Sequence, residues 1–164
     1  TRSYSGTGVQ TCALPIYLLE LIEKNVRLNR FVADRKEISL DFQTELERAE
    51  ASVDRDKIQL VLNNLISNAI KYSKAKTKVT VSLLEREDQY LVSVRDEGQG
   101  IKPEEMNRLF KAFQRTSAEP TAGEKSTGLG LFIAKGIIEN HNGTISAESE
   151  YGKGSVFTVT LPRI

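Results

Sequence analysis

The sequence predicts an α/β (α+β) domain in which helices pack on a mixed, mostly antiparallel sheet. Two observations lead there. Short stretches alternate apolar and polar residues, as strands with one buried face do; Lys76–Leu84 and Tyr90–Arg95 are a close pair of this kind, and Thr144–Glu148 with Ser155–Leu161 is another. Between them, apolar residues recur at helical spacing, most clearly in Tyr17–Val32 and Asp56–Tyr72.

In chain order, Tyr17–Val32 carries Leu18, Leu19, Ile22, Val26 and Leu28 among charges and reads as an amphipathic helix. Lys36–Thr44 alternates Ile38, Leu40 and Phe42 with polar residues, a half-buried strand, and Ala51–Val53 is a short second strand. Asp54 or Asp56 can cap the next helix, which runs to about Tyr72. Glu85–Gln89 is the polar turn of the first hairpin. Pro103 starts a helix through Met106, Leu109 and Phe110 toward Phe113. Gln114–Thr127 has almost no apolar residue and cannot bury itself, so it is expected to be a mobile loop. Gly128-Leu129-Gly130-Leu131 then opens a helix through Phe132, Ile133, Ile137 and Ile138. Asn142-Gly143 makes a turn, Tyr151–Gly154 joins the closing hairpin, and Pro162 ends it.

A chain of 164 residues, 39% hydrophobic and 27% charged, is long enough for one domain with a real core. A formal charge of +1 gives no basic excess for nucleic acid or an anionic membrane surface. Residues 1–16 lack helical or strand period, and Thr7–Ile16 (TGVQTCALPI) resembles a translated sequencing adapter. They are expected to be a disordered artefact joined to a truncated gene, with the domain spanning residues 17–164. The one cysteine, Cys12, lies in that segment, which leaves the rest without disulfide or thiol chemistry.

The helix Asp56–Tyr72 has two faces. Ile58, Leu62, Leu65, Ile66 and Ala69 form an apolar stripe, while Asn64, Asn68, Lys71 and Tyr72 share a second face. Asparagine is a poor helix former. Two of them one turn apart point either to a ligand site or to an idiosyncratic surface. An amide oxygen is a hard, neutral ligand that suits a magnesium ion already carrying phosphates. Asp96–Gly100 (DEGQG) lies at a strand end, where a carboxylate needs hydrogen-bond donors; it reads either as a capped turn or as an acceptor for an adenine amine. Ser126–Leu131 (STGLGL) is a glycine-rich entry to a helix, a place where unpaired N–H groups favour an anion. It is neither a lysine-bearing P-loop nor a dinucleotide fingerprint.

Taken in order, these stretches resemble the ATP-binding catalytic domain of sensor histidine kinases, in the GHKL superfamily with its Bergerat fold. NNLISNAIKY is similar to the N box, DEGQGI to the first glycine box, LFKAFQR to the F box, STGLGL to the second glycine box and YGKGSVFTVTLP to the closing hairpin. The resemblance covers about Tyr17–Ile164. It implies a two-layer sandwich with helices on one face of the sheet and a flexible ATP lid. It also implies that Asn68, assisted by Asn64, holds Mg²⁺, that Lys71 reaches a phosphate, and that Tyr72 packs near adenine. Asp96 would accept from the adenine amine, with Gly98, Gly100 and Ile101 shaping that wall. Thr127, Gly128, Leu129, Gly130 and Leu131 would bring the lid to the triphosphate. Phe110 and Phe113 would anchor the lid or face the phosphoacceptor domain, with core packing as the competing role, and Arg115 would meet phosphate.

The resemblance also bears on the reaction. In the hydrolysing branch of the superfamily a glutamate stands four residues before the metal asparagine; here that position is Asn64, and an amide is no general base. Transfer is favoured over hydrolysis, with Asn64, Asn68 and Lys71 as the catalytic set. The implied acceptor is a histidine on a separate dimerisation domain, with a response regulator downstream. The one histidine, His141, sits at a helix end in ENHNG and reads as structural or as a helix C-terminal cation. The acceptor domain is expected upstream of Tyr17, so this chain should bind ATP without phosphorylating itself. The competing functions are a serine kinase of the anti-sigma type and a silent nucleotide-binding module. A cytoplasmic location is implied, with either a free or a membrane-anchored parent.

Overall fold

The computed structural model describes residues 14–124 and 128–164. Its elements are β1 (Leu14–Tyr17), α1 (Leu18–Arg35), β2 (Ser39–Thr44), β3 (Glu50–Val53), α2 (Arg55–Lys71), β4 (Lys78–Arg86), β5 (Gln89–Asp96), a 3₁₀ helix (Pro103–Arg108), α3 (Gly130–Asn140), β6 (Thr144–Glu150) and β7 (Gly154–Pro162).

Five strands form one sheet in the order β2-β4-β5-β7-β6, with β2 and β4 parallel and every other neighbour antiparallel. The period of two along each strand decides the layers. Val81 lies opposite Val94, Leu83 opposite Val92, and Val92 opposite Val159, and all of these are buried. The alternate set, Ser82, Ser93, Thr158 and Ser146, forms a polar row on the other face, with a Ser93–Thr158 hydroxyl pair at 3.1 Å. The helices therefore cover one face only. Ile58, Leu62, Leu65, Ile66 and Ala69 of α2 are buried in the core, beside Leu18, Leu21, Ile22 and Val26 of α1 and Ala134 and Ile138 of α3. This is the expected two-layer arrangement. Among the described residues no helix is long and apolar enough to cross a membrane.

One expectation, the helix from Pro103, needs correction, and the N-terminal end of the described residues adds a strand. That strand, β1, pairs antiparallel with β3, from Leu14 opposite Val53 to Tyr17 opposite Glu50, and Ile16 is buried. An edge strand offers a row of unpaired backbone groups that accepts an extended neighbour whatever its origin. Residues 1–13 lie outside the described residues. The helix expected from Pro103 toward Phe113 is a 3₁₀ turn ending at Arg108. Phe113 beyond it takes φ 60°, and its N–H donates to Gly128 O at 3.1 Å, so the chain there turns to form the stem of the following loop.

The start of α2 is fixed by side chains. Asp54 Oδ1 accepts from Lys57 N at 3.2 Å, which makes Asp54 the cap. Asp54 N–H donates to His141 Nε2 at 3.1 Å, while His141 Nδ1 lies 2.7 Å from Ile137 O. A ring nitrogen that accepts must carry its lone pair, which leaves Nδ1 to face the Ile137 carbonyl. His141 is thus a structural bridge between α3 and the start of α2.

Candidate functional site

The second face of α2 and the end of β5 border a cavity of about 320 Å³. Asn64, Asn68, Lys71 and Tyr72 line it from α2; Asp96, Gly100 and Ile101 line it from β5 and the glycine loop. Gly130 and Leu131 close it at the start of α3, joined by Gly128 and Arg115 from the loop stem.

The two asparagines differ. Asn64 Nδ2 donates to Gly130 O at 3.2 Å, which ties α2 to the start of α3. The Asn68 carboxamide makes no hydrogen bond to the described residues, though it faces the same cavity and is only half-exposed. An amide that costs helix propensity and has no partner among the described residues is suited to a ligand. No group of three His, Cys, Asp or Glu side chains that could hold a metal ion exists among the described residues. A cation here would need amide oxygens and oxygens of its own ligand, an arrangement that fits magnesium carried by a polyphosphate.

Asp96 is placed by backbone. Its Oδ1 accepts from Gly98 N at 2.9 Å and from Ser155 N at 3.3 Å. Oδ2 takes no hydrogen bond from the described residues. Burial raises the carboxyl above its ordinary value, and the two N–H bonds only partly offset this. A raised carboxyl with one oxygen uncommitted suits a neutral N–H donor such as an exocyclic amine. Gly98 allows this turn to lie against α2, since a methyl group there would come 2.7 Å from Tyr72 O. Gly100 has φ 72°, and a methyl group would overlap the Glu150 carbonyl.

Not every expected residue reaches the cavity. Phe110 packs edge-on against Phe157 with ring centroids 6.3 Å apart and instead borders a neighbouring cleft with Phe132 and Ile133. Its ring is held at the edge of the core. Phe113 is exposed. Gly98 and Leu129 do not line the cavity, and Thr127 lies outside the described residues. Ser155, Phe157, Gln99, Thr116 and Ala118 line it without having been expected. Ser155 is brought in by strand register, opposite Asp96, and no local motif marks it.

The loop after Phe113 folds back over this cavity. Gln99 Oε1 accepts from Glu119 N at 3.0 Å while its Nε2 donates to Glu119 O. Glu105 accepts from Ser117 N at 3.1 and 3.2 Å and from the Ser117 hydroxyl at 3.1 Å.

Residues 53–164 match the family described as histidine kinase-, DNA gyrase B-, and HSP90-like ATPases, and the chain belongs to that family. Within it, the chain is an ATP-binding domain of the sensor histidine kinase kind. It is 30% identical to the catalytic domain of histidine kinase ThkA, with a TM-score of 0.81 over 94% of this chain and 97% of that one. A structure of ThkA in complex with response regulator protein TrrA gives 26% identity and a TM-score of 0.75, covering 92% of this chain and 42% of that one. Sensor protein SrrB of Staphylococcus aureus is 42% identical over 112 residues, 68% of this chain and 19% of SrrB. The chain thus spans about a fifth of the length of this curated relative.

Proposed function

We propose that this domain holds MgATP and presents its γ-phosphate to a histidine on a separate dimerisation domain of the parent kinase. The observation that carries the reading is the pairing on α2: an uncommitted Asn68 amide beside an Asn64 amide tied to Gly130, with no carboxylate between them to activate water. Asn68, with Asn64 beside it, would hold the magnesium, which would neutralise phosphate charge. Lys71 and Arg115 border the cavity where phosphate charge would lie, and Asp96 Oδ2 would accept from the adenine amine. Positioning and charge neutralisation are what phosphoryl transfer asks of a protein. The exposed Phe113, Phe132 and Ile133 near the lid stem are suited to meeting the acceptor domain. ThkA, which this chain resembles, is described in complex with a response regulator. A cytoplasmic setting, with the regulator reached through the acceptor domain and no direct membrane or nucleic-acid contact, fits this reading.

The test mixes the domain with the parent's helical acceptor domain and γ-labelled ATP. Acid-labile label on histidine, abolished by Asn68→Ala, is the expected result. Label on a protein serine would replace the reading with a serine kinase, and retained nucleotide binding with no label would make the domain a silent binding module.

A further inference from the structure

The lid is also held at its far end, by a lysine outside every motif. Lys36 stands at the C-cap of α1 with its side chain mostly buried, 15% exposed. Its ammonium lies 2.7 Å from Thr121 Oγ1, 2.9 Å from Glu124 Oε2 and 2.9 Å from Ile70 O, with Lys71 O further off at 3.3 Å. An ammonium has three donors, and three close oxygens from two segments meet them.

On one side are the last carbonyls of α2, which carry the negative end of the helix dipole. On the other are two side chains of the lid. The Thr121 hydroxyl is directed by this contact: accepting from Lys36, it donates its own proton to Ser73 O at 2.7 Å. Thr121 N–H donates to Lys71 O at 3.0 Å. The lid is thus fastened to the same turn of α2 that presents Lys71 and Tyr72 to the cavity.

We infer that Lys36 is a positioning residue that latches the lid to the C-terminal turn of α2, so that Gln114, Arg115, Thr116 and Ala118 already border the cavity before nucleotide enters. Its consequence for affinity rests on the reading of that cavity as an ATP site; its consequence for the lid does not. A latched lid loses less conformational freedom on binding than a loose one, so the latch favours affinity. A tetrahedral ammonium fits the three oxygens where a planar guanidinium would not, so arginine should restore the charge but only part of the effect.

Amide exchange of the nucleotide-free domain and calorimetry with MgATP test this on Lys36→Met, Lys36→Arg and Glu124→Gln. Lys36→Met should speed exchange at Thr121 and Ala122 by about tenfold, the loss of one charge-assisted bond, and leave the middle of α2 unchanged. Its MgATP dissociation constant should rise about three- to tenfold, with Lys36→Arg in between. Glu124→Gln, which alters only the lid partner, should move both readouts the same way by less. Unchanged exchange at Thr121 and Ala122 in both Lys36→Met and Glu124→Gln would overturn the latch. Faster exchange spread through α2 and the sheet would do so too, by showing that Lys36 merely holds the fold. Failure of the unaltered domain to bind MgATP would refute the reading of the cavity, while the exchange readout would still decide the latch.

Discussion

On the β5 side of the cavity the backbone does the positioning. Asp96 is set by the N–H groups of Gly98 and Ser155, and the glycine loop lies so close to Tyr72 and Glu150 that side chains are excluded there. On the lid side the backbone has little to hold it. Residues 114–124 form no helix or strand, and their place depends on side chains of Gln99, Glu105 and Lys36, which come from three different parts of the chain. The first kind of wall cannot shift without breaking the sheet register. The second can be released one tether at a time. On the proposed reading, a wall that binds adenine would be fixed, since the base is rigid, and a cover over phosphates would open to exchange nucleotide.

The largest effect should come from disturbing the fixed wall. Gly100→Ala places a methyl group into the Glu150 carbonyl at φ 72°. Strain of that kind costs about 1–3 kcal/mol before the overlap is counted. Thermal unfolding should therefore drop by at least about 5 °C. A variant that melts within a degree of the parent would mean that the glycine loop yields as readily as the lid, and the contrast between the two sides would fail.

The fixed side was also the legible side. Two-residue alternation gave the strands, and three-to-four spacing gave both faces of α2, because those periods follow from local geometry. The glycines of DEGQG marked a tight turn through their composition alone. What could not be read came from long-range register or from a lone side chain. Ser155 meets Asp96 only because β5 and β7 pair as they do. Lys36 and Glu105 look like ordinary surface charges in the sequence, and each finds its lid partner only after the chain has folded. For Phe110 the sequence left lid anchoring and core packing both open, and only the fold shows it edge-on to Phe157. Ile16 is buried through the pairing of β1 with β3, which no periodicity in residues 1–16 marks.

A smaller effect, of opposite sign in stability and affinity, is expected at Asp96. Its carboxyl is raised by burial, so the folded state holds a proton more tightly than the unfolded chain does. Between the ordinary aspartate value of 3.8 and the raised one, stability falls as pH rises, and at neutral pH the ionised carboxylate costs stability. Asp96→Asn keeps an acceptor for Gly98 and Ser155 and removes the charge. The nucleotide-free variant should melt above the parent at neutral pH, with the difference vanishing in acid, while losing most of its affinity for MgATP. A variant that melts lower at neutral pH would show that ionised Asp96 supports the wall instead of straining it.

The smallest effect on stability belongs to the lid. The Ser117 N–H is the main cause that holds the Glu105 carboxyl below its ordinary value; burial opposes it, and the Ser117 hydroxyl, Arg108 and Lys102 assist. A lowered carboxyl contributes above its unfolded pKa and ceases to do so as pH falls through the folded one. Near neutral pH this tether is fully made. Glu105→Gln leaves an oxygen for Ser117 but no charge, so Ser117 and Ala118 should exchange severalfold faster while melting moves by about one degree or less. The same two amides of the parent should lose protection in acid, below the usual glutamate range, before the sheet does. If Glu105→Gln instead lowered melting as Gly100→Ala should, the lid would be part of the cooperative core. Its tethers would then be structural in the same sense as the wall, and nucleotide exchange would require partial unfolding of the domain.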